Sequence, residues 1–149
     1  MTTDSLKIRH ASKDDLAEIL ALLTRVGLPH EGVVECLDRF IVARDPAGRL
    51  VACAAMERHE AIGLLRSIAV DPNRQHAGVG TRLTAMLLEH APGEGIKEVL
   101  LLTTTARDFF ARCFQFQEAS RADYDSQLAS SPEWRLPRCS TAVLMRRAV

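Results

Sequence analysis

With 149 residues, 19 Lys and Arg against 19 Asp and Glu, and 47% hydrophobic residues, the chain has the length of one domain and the balance of a soluble globular protein. A net charge of zero argues against a nucleic-acid backbone binder, which would carry excess basic residues, and no apolar run approaches the roughly 18 residues of a membrane span. The first twelve residues lack the apolar core of a signal peptide, so the expectation is a single cytoplasmic domain over residues 1–149, large enough to fold without disulfides or metal.

Leu6-Lys7-Ile8-Arg9 alternates and predicts a first strand. Ser12, with Asp15 three residues on, has the spacing of a capping box before a helix whose buried stripe is Leu16, Ile19, Leu20, Leu23 and Val26. Gly27 ends that helix, and Leu28-Pro29 starts a new segment. His30 to Leu37 predicts a second, shorter helix with Val33, Val34 and Leu37 inward. Phe40–Ala43 and Leu50–Met56 are strands joined by the Asp45-Pro46-Ala47-Gly48 turn. Glu57-Arg58-His59-Glu60 is a charged end to the second of them, and a turn near Ala61-Ile62-Gly63 leads on.

Leu64 to Leu88 is the stretch the rest of the chain serves. Leu64, Leu65, Ile68 and Val70 are strand formers, and Asp71-Pro72-Asn73 is turn chemistry. Gln75 to Thr81 follows, and from Val79 the apolar residues Val79, Leu83, Met86 and Leu87 recur at helical spacing. Gly78 and Gly80 therefore sit at the mouth of a helix, where backbone N–H groups have no intrahelical partner and the dipole adds positive charge. Two missing side chains let an anion approach the backbone, which is the chemistry of a pyrophosphate cradle.

Lys97–Thr103 is apolar on both faces and predicts a central strand. Ala106–Phe114 is a helix, Gln115–Glu118 a short strand, and Tyr124–Leu128 a short helical piece in a polar region. Ser131–Cys139 is an irregular loop that could close over a site, and Thr141–Met145 is the last strand. Four cysteines, at 36, 53, 113 and 139, show no C-x-x-C pair and no disulfide framework; Cys36 and Cys53 have apolar surroundings.

Gln75-x-x-Gly78-x-Gly80 resembles the Q/R-x-x-G-x-G/A loop with which GNAT acetyltransferases hold the pyrophosphate of acetyl-CoA. It lacks the three glycines of the dinucleotide fingerprint and the Gly-Lys-Ser/Thr of a Walker loop. Ala106 to Phe116 resembles a second GNAT motif, A-x-x-F-Y-x-x-x-G-F, with Phe110 where Tyr is usual and Gln115 where Gly is usual. The resemblance covers nearly the whole chain. It implies an α/β (α+β) acyl-CoA N-acyltransferase fold: a mixed, mostly antiparallel sheet of about six to seven strands flanked by helices. LLRSIAV, LLTTTARDFFARCF and the C-terminal W-x-L-P-x-C-S-x-A-V-L-M together resemble the GNAT subgroup associated with arsenic resistance. Amino-acid acetyltransferases of the N-acetylglutamate-synthase type are the near neighbour.

The resemblance implies acetyl-CoA as co-substrate and the primary amine of a small amino-acid-like acceptor, including an arsenic-containing amino acid, with homodimers common for the fold. Ordinary amino acids, peptide amines, or a low-turnover acyl-CoA sensor are the alternatives. Ile68, Ala69 and Val70 would orient the thioester through their backbone. Gln75, His76, Ala77, Gly78, Val79, Gly80 and Thr81 would hold the pyrophosphate, and Thr104 and Phe110 would lie against the cofactor. Glu57 is the candidate general base, with Glu60 as fallback and a solvated surface carboxylate as the plain alternative. Arg66, inside an apolar strand, either binds an oxyanion on the substrate, points to solvent, or pairs with Glu57. Ser67 alternates to the opposite face from Arg66, so the two are not expected to share a ligand. Phe110 cannot protonate the departing thiolate, leaving Thr104, Thr105, Cys113 or water. The three threonines at 103–105 could instead end the strand and cap the next helix, and Cys139 could touch a trivalent arsenical.

Overall fold

The computed structural model describes residues 5–136 and 142–149, with residues 75–77 described through their backbone alone. Among the described residues seven strands form one sheet: β1 (Lys7–His10), β2 (Phe40–Arg44), β3 (Leu50–His59), β4 (Ile62–Val70), β5 (Glu98–Thr103), β6 (Gln117–Glu118) and β7 (Val143–Ala148). Their order is β1-β2-β3-β4-β5-β7-β6. The β4–β5 pairing is parallel, and β1–β2, β2–β3, β5–β7 and β6–β7 are antiparallel. A parallel pair needs a crossover, supplied by helix α2 (Val79–His90). The other helices are α1 (Leu16–Val26) and α3 (Arg107–Phe114). None of the described helices is long and apolar enough to cross a membrane.

The backbone gathers into two compact units, Met1–Met56 with Arg66–Glu89, and Glu57–Leu65 with His90–Val149. In the first, strand alternation sorts side chains onto two helices. Phe40, Val42, Cys53 and Ala55 pack with Ile19, Leu22 and Leu23 of α1, while Ile41, Ala43, Ala52 and Ala54 pack with Val79 and Leu83 of α2. Both faces are covered, so β2 and β3 read as continuous apolar runs. A register shift at Ala43/Arg44 pairs Ala43 with Ala52 and Arg44 with Leu50, which puts Val51 on the same side as Ala52, as a bulge does. In the second unit, Ile62, Leu64, Leu100, Tyr124, Leu128, Trp134 and Leu144 form one cluster. Phe109, Phe110, Phe114 and Phe116 form an aromatic group, edge-to-face except for the tilted Phe110–Phe114 pair.

Local differences from expectation have local causes. Residues 31–36 form successive turns and then a 3-10 turn at Leu37–Arg39, with no α-helix over His30–Leu37. Gly32 there has φ +82°, outside the helical range, and Val34 is 61% exposed, not inward. β3 runs through the charged residues to His59, and the hairpin turn is Glu60-Ala61, so β4 starts at Ile62. Glu60 has φ +57°, and a left-handed first turn residue suits the twist of a two-residue hairpin. Tyr124–Leu128 lies in turns after a 3-10 segment at Arg121–Asp123. At the start of α1 the Asp15 carboxylate accepts from the Ser12 N–H at 2.8 Å and pairs with Arg9 and Arg44, both at 2.7 Å. Gly27, at φ +76°, closes the helix, and the Leu28 N–H bonds back to the Leu23 carbonyl at 2.9 Å.

Candidate functional site

In the first unit, β4 and the loop after it bring Ile68, Ala69, Val70, Gly78, Val79, Gly80 and Thr81 into one segment. The Asp71 side chain accepts from the Asn73 N–H at 3.0 Å, starting a 3-10 turn over Pro72–Ala77 that ends on Gly78 at φ +69°. Ion pairs fix this loop: Asp71 with Arg25 at 3.3 Å and Arg74 with Asp45 at 3.1 Å. The Arg82 N–H is bonded to the Gly78 carbonyl at 3.1 Å. The amides of Val79, Gly80 and Thr81 precede it in the first turn, where an α-helix has no internal acceptor.

The two glycines serve different ends. A Cβ on Gly78 would meet nothing within 4 Å, so its requirement is the left-handed backbone and the open space over it. A Cβ on Gly80 would stand 3.1 Å from Val70 Cγ2 and 3.8 Å from Ile68 Cγ2. Gly80 therefore seats the helix start against β4, and Gly78 leaves room for a ligand. The Thr84 hydroxyl donates to the Gly80 carbonyl at 2.8 Å, holding that first turn. Gln75, His76 and Ala77 belong to the 3-10 turn; their side chains lie outside the described residues.

β4 pairs with β5 from Ile62↔Glu98 to Leu65↔Leu101, and then continues past its last partner to Val70. Just beyond that point Ser67 has φ +57°, a left-handed residue inside a strand. This corrects the expected alternation. The Arg66 Nε–H donates to Ser67 Oγ at 3.1 Å, so the two side chains act together, because a bulge-like residue breaks the period of two. Arg66 is 3% exposed and also donates to the Glu31 carbonyl at 2.7 Å. It does not point to solvent. Its guanidinium ties the 31–36 turns to β4. The Cys53 thiol donates to the Ser67 carbonyl at 3.4 Å, and burial pushes that thiol up to about 12, so it stays protonated.

In the second unit, Glu57 is 6% exposed, not a solvated strand end. Its Oε1 lies 2.8 Å from His59 Nε2. Glu60 is exposed in the hairpin turn. Thr103 Oγ1 accepts from the Ala106 N–H at 2.9 Å, so Thr103 braces the start of α3, while Thr104 and Thr105 are exposed. Phe110 is buried among Phe109, Phe114 and Phe116. Gln115, in the usual glycine position, takes φ +56° and closes α3. Tyr124 is buried in the core; burial first, then its bond to Glu98, raises its pKa. Trp134 is also core, with Nε1–H on Asp125 at 2.9 Å and the Arg121 guanidinium 4.5 Å over its ring, which removes it from any mobile cover. Cys139 lies outside the described residues.

His59, Ser67 and the Glu31 carbonyl were not among the expected site groups. The spacing of Glu57 and His59 was the available signal for the first, since residues two apart in a strand share a face. No local signal marks a left-handed serine or a distant carbonyl.

Residues 37–118, more than half the chain, match the family model described as an acetyltransferase (GNAT) domain. The amino-acid acetyltransferase of Neisseria meningitidis is 31% identical over 138 residues, taking in 81% of this chain and 31% of that protein. That of Azotobacter vinelandii is 34% identical over 122 residues, 73% of this chain and 27% of the relative. The chain thus spans about a third of the length of these curated relatives. N-acetylglutamate synthase from Neisseria gonorrhoeae, complexed with coenzyme A and N-acetyl-glutamate, matches at TM-score 0.75 and 25% identity, over 96% of this chain and 35% of that one. A Mycobacterium tuberculosis protein solved with CoA matches at TM-score 0.79 over 96% of this chain and 99% of that chain; its 24% identity speaks for the fold alone.

Proposed function

The chain belongs to the GNAT acetyltransferases, and on that footing we propose that it binds acetyl-CoA through residues 68–81 and acetylates the primary amine of a small amino-acid-like acceptor. The observation that carries this is the loop itself. Gly78 is left-handed with open space above it, at the start of a twelve-residue helix whose first amides precede the Arg82–Gly78 bond. That combination suits a pyrophosphate. Gln75, His76 and Ala77 complete the same turn.

Past its pairing with β5, β4 offers the backbone of Ile68, Ala69 and Val70 to the pantetheine arm. One N–H there would serve the oxyanion that develops on the thioester carbonyl, a contribution of about 3 kcal/mol in a dry site. The acceptor amine must be neutral to attack, and Glu57 is the base that takes its proton. Arg66, by holding the Glu31 carbonyl, shapes the 31–36 turns as one wall for the acceptor. Thr104 and Phe110 are the further residues we assign to the cofactor, with Thr104 or water left to protonate the thiolate, since Phe110 has no proton to give.

Amino acids, glutamate among them, are the first acceptors to test, because the curated relatives are named amino-acid acetyltransferases and the Neisseria gonorrhoeae neighbour N-acetylglutamate synthase. The resemblance of the three stretches noted above extends the panel to arsenic-containing and phosphinic analogues, and the cytoplasmic expectation goes with either. The test is thiol release from acetyl-CoA across amino acids, peptide amines and these analogues. Release with an amino acid or its analogue is expected. Phe110 in place of Tyr favours one second reading, an acyl-CoA-binding module of low turnover, for which CoA species bind and no amine releases thiol.

A further inference from the structure

Acetyl transfer to an amine releases one proton to water in each turnover. The acceptor arrives as an ammonium, the N–C bond forms, the C–S bond breaks, and nitrogen gives up two protons. One ends on the thiol and the other must leave the site. A solvated base would hand it to water at once, but Glu57 is 6% exposed. Its neighbour His59 shares its face of β3, with Nε2 2.8 Å from Glu57 Oε1. The His59 side chain is 15% exposed against 7% for Glu57. It lines a cavity of about 410 Å³ together with Glu60, Ser126, Gln127 and Ser130. Those four residues are all exposed, so the cavity opens to solvent.

We infer that His59 is the proton exit for Glu57, a positioning and relay residue that passes the amine's proton from the buried carboxyl to the water of this cavity. The inference rests on the reading of Glu57 as the base. Imidazole changes charge near neutral pH and exchanges protons at both ring nitrogens, which suits a group with one nitrogen on a carboxylate. Glu57 takes one proton from the acceptor, His59 takes it as an imidazolium, and the imidazolium loses one proton to water. Both residues end in the charge states in which they began. Of the residues lining the cavity, His59 and Glu60 are ionisable, and the Arg58 Nε–H is turned onto the Glu60 carbonyl at 3.2 Å. The lining from residues 126–130 carries no charge.

The experiment compares His59→Ala, His59→Asn and Glu57→Gln in the intact chain by thiol release at saturating acceptor, with and without added imidazole, after subtracting release without acceptor. His59→Asn keeps an N–H for Glu57 but cannot carry a proton, so it separates relay from simple anchoring. Both His59 variants are expected to lose about tenfold to hundredfold in kcat, with unchanged acetyl-CoA affinity. Imidazole, admitted by the cavity, is expected to restore about tenfold to His59→Ala. A full rate in His59→Asn, or a slow His59→Ala that imidazole leaves unmoved, overturns the relay while a slow Glu57→Gln keeps Glu57 as the base. A full rate in Glu57→Gln overturns the base and the relay together.

Discussion

Residues 57–65 and residues 66–81 follow one another along the chain, and the proposed chemistry draws on different atoms in each. In 66–81 the groups proposed to bind the cofactor are main chain: a left-handed Gly78, the first amides of α2, and the end of β4 past its parallel partner. Side chains there mostly hold the backbone in place, as Asp71 does for the turn and Arg66 for the 31–36 segment. In 57–65 the backbone is an ordinary hairpin and the groups proposed to work are a carboxylate and an imidazole 2.8 Å apart. A backbone-built site binds what any anion of the right shape presents and tolerates little change in φ. A side-chain site sets reactivity and is lost or altered by one substitution without disturbing the fold.

The largest expected effect breaks the first region alone. Gly78→Glu sets a carboxylate against the pyrophosphate and strains a left-handed backbone, so acetyl-CoA should bind about 100-fold or more weakly, roughly 3 kcal/mol. Gly78→Asn, which accepts the same φ but puts an uncharged side chain into the space over the loop, should weaken binding less than Gly78→Glu does; calorimetry on both separates charge from lost space. Next, Glu57→Gln should lower kcat by about 100-fold and leave the acetyl-CoA dissociation constant where it was. Equal losses in both would merge the two regions into one.

Arg66→Met tests the support between them in kind: a side chain serving backbone. It removes the donor to the Glu31 carbonyl and Ser67 Oγ, so stability should fall by about 2 kcal/mol in urea unfolding. The acceptor KM should rise more than that for acetyl-CoA. The smallest effect is at Gln115, a left-handed position with a side chain where the loop at 78 has none. Gln115→Gly should stabilise by about 1 kcal/mol with activity unchanged, read from the same urea midpoint.

The same contrast explains what could be read before the fold was known. Strands β2 and β3 announce themselves as apolar runs because α1 and α2 cover their two faces, and Gly78 and Gly80 announce the loop because only glycine meets both needs. What the glycines do separately required the 3.1 Å approach to Val70. The charged run Glu57–Glu60 looked solvated because four polar residues in a row hide their alternation. Glu57 and His59 are covered while Arg58 and Glu60 are exposed, a period of two. The helix expected over His30–Leu37 failed at Gly32, and the partner that orders those turns, Arg66, lies thirty-five residues away from Glu31. Ser67 carries no mark of its left-handed backbone, since the strain is imposed by the sheet and not by the residue.

The measurement that bears most directly on the central claim is calorimetric titration of the chain with acetyl-CoA, beside CoA and ATP, repeated on Gly78→Glu. Micromolar binding that is selective for CoA species and lost in the variant is the predicted result. No binding, or binding that Gly78→Glu leaves intact, would contradict the assignment of residues 68–81 to the cofactor.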